Sequence, residues 1–289
     1  MRYALFLGCT IPARARNYEL AARRVARELG LELVDIEDFA CCGFPIKSAN
    51  REAALLLAAR NLSLAEKRGL DICTLCSACT SILTETNKEL KENSRLKDST
   101  NDKLGRINRE YEGKIRVRHF ARILYEEIGP GKIKEKVKKD LGGIKIAAHY
   151  GCHYLKPSRI YDHFDDPEDP RTMDELISAT GATFVHYDYP KQCCGGAILA
   201  VDETLSLTMA KEKIEHVKSA GADAFTLVCP FCNVMYDDNQ RKIESTFNVS
   251  YSLPVLFYPQ VLGLAMGIEA RELGLNMNRV KTAELISRL

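Results

Sequence analysis

Short apolar runs and longer amphipathic stretches alternate along this chain, and the alternation occurs twice. "YALFLGC" (3–9) and "KIAAHYGC" (145–152) read as buried strands that end in Gly-Cys. "LELVDIEDF" (31–39) and "ATFVHYDYP" (182–190) read as second strands, and "LDICTLC" (70–76) and "DAFTLVC" (223–229) as third strands. Between them "NREAALLLAARNLSLAEKRG" (50–69) and "DETLSLTMAKEKIEHVKSAG" (202–221) carry helical patterns, each closed by a glycine stop. The order predicts an α/β protein of two pseudo-symmetric, Rossmann-like β-α-β-α-β halves with parallel sheets and right-handed crossovers. Residues 1–88 form the first half and 144–289 the second. A charged, cysteine-free helical stretch, 89–143, connects them and could also dock a partner. The most apolar segment, "LPVLFYPQVLGLAMGI" (253–268), is too short to span a membrane and contains Pro254, Pro259 and Gln260, so it reads as a buried C-terminal helix.

Composition changes the picture in one respect. With 289 residues, 46% of them hydrophobic, and a formal net charge of +2, the chain is an ordinary globular protein without an electrostatic reason to bind nucleic acid. No secretory leader is evident, because the first apolar run is short and interrupted by Cys9. The expectation is a soluble, cytoplasmic protein, which makes eleven cysteines an anomaly. A reducing cytosol disfavours disulfides, and adjacent cysteines bridge each other poorly. Metal or redox chemistry remains.

The cysteines repeat as the strands do. Cys9 is followed by the pair Cys41–Cys42 and by Cys76/Cys79; Cys152 is followed by Cys193–Cys194 and by Cys229/Cys232. The gap from pair to C-x-x-C is 33 residues in one set and 34 in the other. Each cysteine follows a predicted strand, so three loops per half would bring five thiols to one sheet edge. Cys73 is left over opposite Thr226 and reads as a buried strand residue.

Five thiolates exceed what one tetrahedral zinc ion uses, and they also exceed the four of an ordinary iron–sulfur cluster. A cluster in which one sulfur bridges two irons would use all five. Ligand softness supports iron–sulfur or zinc and argues against magnesium, calcium or manganese; the spacing puts iron–sulfur ahead of zinc. Glycines after the pairs (Gly43; Gly195, Gly196) let the backbone approach a bulky cluster and offer amides to its sulfurs, or serve a tight turn.

The duplicated Cys…CysCysGly…CysxxCys pattern resembles the cysteine-rich CCG domain. Two such domains in one unfused chain, with "LFLGC" near the start and "PVLFYPQVLGLAMG" near the end, resemble the B subunits of heterodisulfide reductases from methanogenic archaea. The resemblance implies two noncubane 4Fe–4S clusters, one held by Cys9, Cys41, Cys42, Cys76 and Cys79, the other by Cys152, Cys193, Cys194, Cys229 and Cys232. It implies reduction of the coenzyme M–coenzyme B disulfide in methanogenesis, with electrons from a C subunit bearing 4Fe–4S clusters and a flavin-containing A subunit. Relatives of the CCG type also act on other substrates, so a quinone or another disulfide is the alternative, and a zinc-stabilised binding protein, or zinc in one motif, is a further one.

Around the cysteines, His153 follows Cys152 directly and is a candidate proton donor. His149 lies inside an apolar strand and reads as a satisfied core residue. Arg16 and Arg159, equally spaced after Cys9 and Cys152, together with Lys156 and Lys191, are candidates for binding the anionic groups of such a substrate.

Overall fold

The structure, a computed structural model, describes residues 1–289. Eight strands form two parallel four-stranded sheets. The first comprises β1 (Arg2–Phe6), β2 (Glu32–Asp35), β3 (Ile72–Thr74) and β4 (Val117–His119), in the order β2-β1-β3-β4. The second comprises β5 (Lys145–His149), β6 (Thr183–Phe184), β7 (Ala224–Leu227) and β8 (Val255–Phe257), in the order β6-β5-β7-β8. β1 and β5 are central strands with helices on both faces, so four consecutive side chains of each are buried and no polar alternation appears.

Three strands per half match the sequence pattern; the fourth does not. β4 lies within the charged stretch read as a helical connection, and β8 within the segment read wholly as an apolar helix. Each is three residues long and runs directly into a helix, Phe120–Ile123 or Tyr258–Ala265, so the helical period swamps the strand. The latter helix is buried along its whole length. It packs against Arg16–Glu28 of the first half and is therefore covered by its own chain.

The long helices that carry the chain past the cysteine pairs start at equivalent caps. Asn50 accepts a hydrogen bond from the Ala53 amide and Asp202 from the Leu205 amide, each at 2.9 Å, opening Arg51–Lys67 and Glu203–Ser219. Both helices end in glycines with positive φ.

The halves pack closely on each other, and one continuous apolar core runs through both. The helix Ser77–Glu92 packs on Cys152–Leu155, and Thr10–Arg14 packs on Pro230–Asn233. Tyr18 stacks on Phe257 with ring centroids 4.0 Å apart. Asn278 joins the halves through Asn17 and Gln260, both at 3.0 Å. The Val228 carbonyl, one residue before Cys229, accepts hydrogen bonds from Nε2–H of His119 at 2.9 Å and from Tyr18 Oη at 3.3 Å, both from the first half. Nδ1 of His119 in turn accepts from the Ala121 amide, which assigns the tautomer.

Burial lowers the His119 imidazole from its usual value near 6.5 to about 4. Between those values the unfolded chain binds a proton that the folded chain refuses. The stability contributed by neutral His119 is therefore complete above pH 6.5 and is lost as pH falls toward 4, about 3 kcal/mol in all. Chemical denaturation at pH 7 and pH 4.5 should show a smaller loss in His119→Gln than in the unsubstituted protein.

Candidate metal centre

Every repeated cysteine stands just beyond the carboxyl end of a strand. Cys9 caps the helix after β1, Cys41 and Cys42 sit in the loop after β2, and Cys76 caps the helix Ser77–Glu92 after β3, with Cys79 in its first turn. Cys152 opens the short helix after β5, Cys193 and Cys194 follow β6, and Cys229 caps Pro230–Asn233 after β7, with Cys232 inside it. A parallel sheet with crossovers leaves these loops on one edge, and there sequence separation disappears.

The ten thiols follow one another as a succession of electrostatic neighbours. Cys9 adjoins Cys41, Cys41 adjoins Cys42, Cys42 meets Cys79 and Cys79 meets Cys76. Cys76 then meets Cys229 across the interface between halves. The succession continues from Cys229 through Cys232, Cys194 and Cys193 to Cys152. Its middle is buried, and its ends, Cys9 and Cys152, are exposed. No disulfide joins any of them. Cys73 stands apart in β3, fully buried, with its thiol pushed up by desolvation.

Burial opposes ionisation, and neighbouring thiols divide it unequally: Cys42, Cys193 and Cys229 are drawn down by hydrogen bonds from Cys79, Cys152 and Cys232. Cys79 is pushed well up by the thiols of Cys42 and Cys76 and by desolvation, and Cys232 by Cys194 and Cys229 in the same way. The partial counterweights are backbone amides. Gly43 donates to Cys41 Sγ at 3.5 Å, Gly195 to Cys193 Sγ at 3.4 Å and Gly196 to Cys194 Sγ at 3.4 Å. Backbone amides alone do not offset ten sulfur charges, so ionising the whole set at once calls for cations.

The residues present fit a soft, bulky metal group. The donors are all sulfur. At Gly8, a Cβ would lie 2.8 Å from Cys79 Sγ, so the bare backbone there makes room beside the thiols. The ring nitrogens of His149 and the hydroxyl of Tyr236 are buried without a partner next to the second set.

Of the other predicted residues, His153 sits between the two sets. Its ring packs edge-on against Phe44, two residues after Cys42, with centroids 4.8 Å apart. Burial lowers its pKa, and its Nδ1 has no partner. Lys156 and Lys191 line one cavity of about 50 Å³ together with His149 and Cys152. Both pair with Glu168, at 3.0 and 2.5 Å, so neither ammonium is uncompensated. Arg16 lies instead in a separate groove of about 710 Å³ with Arg14, Arg241, Arg279 and Lys281. Arg159 is exposed, and its carbonyl accepts from Lys88 at 2.8 Å. The four basic candidates therefore do not converge on one pocket.

His149 departs from the expectation of a satisfied core residue. It is buried, yet neither nitrogen is hydrogen-bonded, and its ligand atom lies within 4.8 Å of Cys194 Sγ and Cys232 Sγ. Lys213, also unnoticed in the sequence, is wholly buried and donates to the carbonyls of Tyr189 at 2.5 Å and Pro190 at 2.9 Å, just ahead of the second pair.

Comparison with known proteins agrees with this geometry. The cysteine-rich domain designated CCG matches residues 3–84 and again 146–237. The B subunit of a "Ferredoxin/F(420)H(2)-dependent CoB-CoM heterodisulfide reductase" from Methanosarcina acetivorans is 37% identical over 292 residues, covering 100% of this chain and 97% of that protein. The chain belongs to the CCG-domain family of heterodisulfide reductase B subunits. This family is broad in chemistry: an "8-methylmenaquinol:fumarate reductase membrane anchor subunit" of Wolinella succinogenes is 32% identical, over 98% of both chains. No helix here is long and apolar enough to cross a membrane. The same fold is also seen in a hypothetical protein from Helicobacter pylori, with a TM-score of 0.80 at 18% identity, covering 97% of this chain and 52% of that one.

The CCG turn is sterically committed. Gly43 has φ +91°, and a Cβ there would lie 2.6 Å from the Ala54 carbonyl oxygen on the following helix. Gly43→Ala should cost about 3 kcal/mol in chemical denaturation, combining left-handed strain with overpacking. Gly131→Ala, where a Cβ meets nothing within 4 Å, should cost nothing measurable.

Proposed function

We propose that this chain is the disulfide-reducing subunit of a heterodisulfide reductase, acting on the coenzyme M–coenzyme B disulfide. The observation that carries the reading is the line of ten neighbouring thiols through two facing sets of five. Cys9, Cys41, Cys42, Cys76 and Cys79 would hold one noncubane 4Fe–4S cluster, and Cys152, Cys193, Cys194, Cys229 and Cys232 the other. When bound, such clusters supply single electrons, and a disulfide needs two, together with two protons, to become two thiols. Zinc suits the sets less well, because a closed four-coordinate ion leaves one thiol of each five unused.

The protein's own residues would orient and protonate the substrate. Cys9 and Cys152, at the exposed ends of the line, mark where a disulfide could approach. His153, wedged against Phe44 between the sets, is positioned to hand a proton to a departing sulfur. Lys156 and Lys191, both on Glu168 beside Cys152, could exchange that carboxylate for an anionic substrate group. Electrons would arrive through a C subunit carrying 4Fe–4S clusters and a flavin-bearing A subunit, in the cytoplasm. The Wolinella relative motivates a second reading, in which the same sites serve a quinone instead.

Protein reconstituted anaerobically with iron and sulfide should be brown and hold about four irons per set. Cys42→Ala and Cys194→Ala should each lower the iron content and abolish turnover, whereas Cys73→Ala should leave both unchanged. Reduction of the coenzyme M–coenzyme B disulfide by the reconstituted complex is the expected activity; turnover of a quinone with none of the disulfide would select the second reading, and colourless zinc-bound protein would refute both.

His153→Gln should keep full iron content while turnover falls roughly 10²-fold, the range for a lost general acid. Iron analysis alongside steady-state rates checks this.

A further inference from the structure

The two halves share register as well as order. β1 sets Phe6 beside Thr74 of β3, and β5 sets His149 beside Leu227 of β7, with Cys9 and Cys152 each three residues on. Counting from the C-x-x-C motifs places Leu83 opposite Tyr236, and counting from the helix caps Asn50 and Asp202 places Asn61 opposite Lys213. At these three positions the halves differ in kind.

Around the first set the positions are hydrocarbon or self-contained. Phe6 and Leu83 are fully buried, and the Phe6 ring lies 3.6 Å from a Cβ built on Gly8, which itself would touch Cys79 Sγ. Asn61 spends its amide on the carbonyls of Leu57, Ala40 and Cys41 and on the Ala40 amide. Around the second set two of them, His149 and Tyr236, are hydrogen-bonding groups left without partners. His149 is 2% exposed, has two unpartnered nitrogens and reaches Cys194 Sγ and Cys232 Sγ within 4.8 Å. Tyr236 is fully buried, its hydroxyl is unpartnered, and its ring stands edge-on to His149 with centroids 5.0 Å apart. Lys213 brings an ammonium to the loop that carries Cys193 and Cys194. On the first side Ser77, beside Cys76, has an unpartnered hydroxyl, a smaller counterpart.

Leaving an imidazole and a phenol buried without partners costs free energy that apolar side chains, as the first half demonstrates, would avoid. The donors therefore answer to something that occupies the space between them and the thiols. Hydrogen bonds to the sulfurs of an iron–sulfur cluster favour its more negative, reduced state and raise its potential.

We propose that His149 and Tyr236 donate hydrogen bonds to the sulfurs of the cluster in the second set, making that cluster the higher-potential member of the pair and the one reduced first. The proposal rests on the reading that both sets hold iron–sulfur clusters. It assigns His149 and Tyr236 a positioning role, and it gives an electron arriving at the line of thiols a preferred end.

The test is a redox titration of the reconstituted full-length protein, followed by electron paramagnetic resonance. The unsubstituted protein should show two separate reduction waves. His149→Phe, which gives β5 the side chain that β1 already packs at that register, should keep full iron content and move the upper wave down, leaving the lower one in place. Tyr236→Leu should do the same, and the two together should bring the waves into near coincidence. His149→Gln, which retains an N–H at the reach of Nε2, should restore most of the separation. Waves that stay put in His149→Phe and Tyr236→Leu, movement of the lower wave instead, or loss of iron from His149→Phe would each overturn the proposal while leaving the cluster reading intact. Absence of iron from the unsubstituted protein would overturn both.

Discussion

Ten sulfur atoms gathered as neighbours, most of them shielded from water, have no stable charge state of their own. As thiols they are weak donors packed against weak acceptors, and as thiolates they repel one another in a medium that solvates them poorly. Most of what is specific about this chain follows from that constraint. The parallel sheets exist in pairs, the loops of each converge at one edge, and the paired cysteines are followed by glycines whose amides reach back to sulfur. The fold concentrates groups that would be anionic together, the kind of donor set that suits a soft cation.

Sequence pattern and structure agree where a signal repeats. Three of the four strands in each sheet, the capped helices after the pairs, and the placing of cysteines after strands were legible because each appears twice at nearly equal spacing. β4 was hidden because Val117–His119 includes Arg118 and lies in a charged helical stretch, so only its neighbours in the sheet identify it. β8 was hidden by the apolar helix it leads into. That Cys76 and Cys229 become neighbours could not be foreseen, since nothing local to either motif says how the halves dock.

Side-chain roles were less legible than thiol positions. Lys156 and Lys191 looked like free cations in sequence, but folding brings Glu168 to both. His149 looked like an ordinary core histidine, because a single apolar strand gives no sign of which buried groups lack partners. The signal that could have found it was already present: laying the two halves over each other sets it against Phe6. A duplicated chain carries its own control, and departures from the repeat are more informative than the repeat itself.

The acceptance of two hydrogen bonds by the Val228 carbonyl, both from the other half, bears on whether the halves can exist apart. Neither half could satisfy that carbonyl alone without solvent or a second copy taking the place of Tyr18 and His119. Each half is therefore scaffolding for the other, and severing the chain between them would leave a polar group bare beside Cys229.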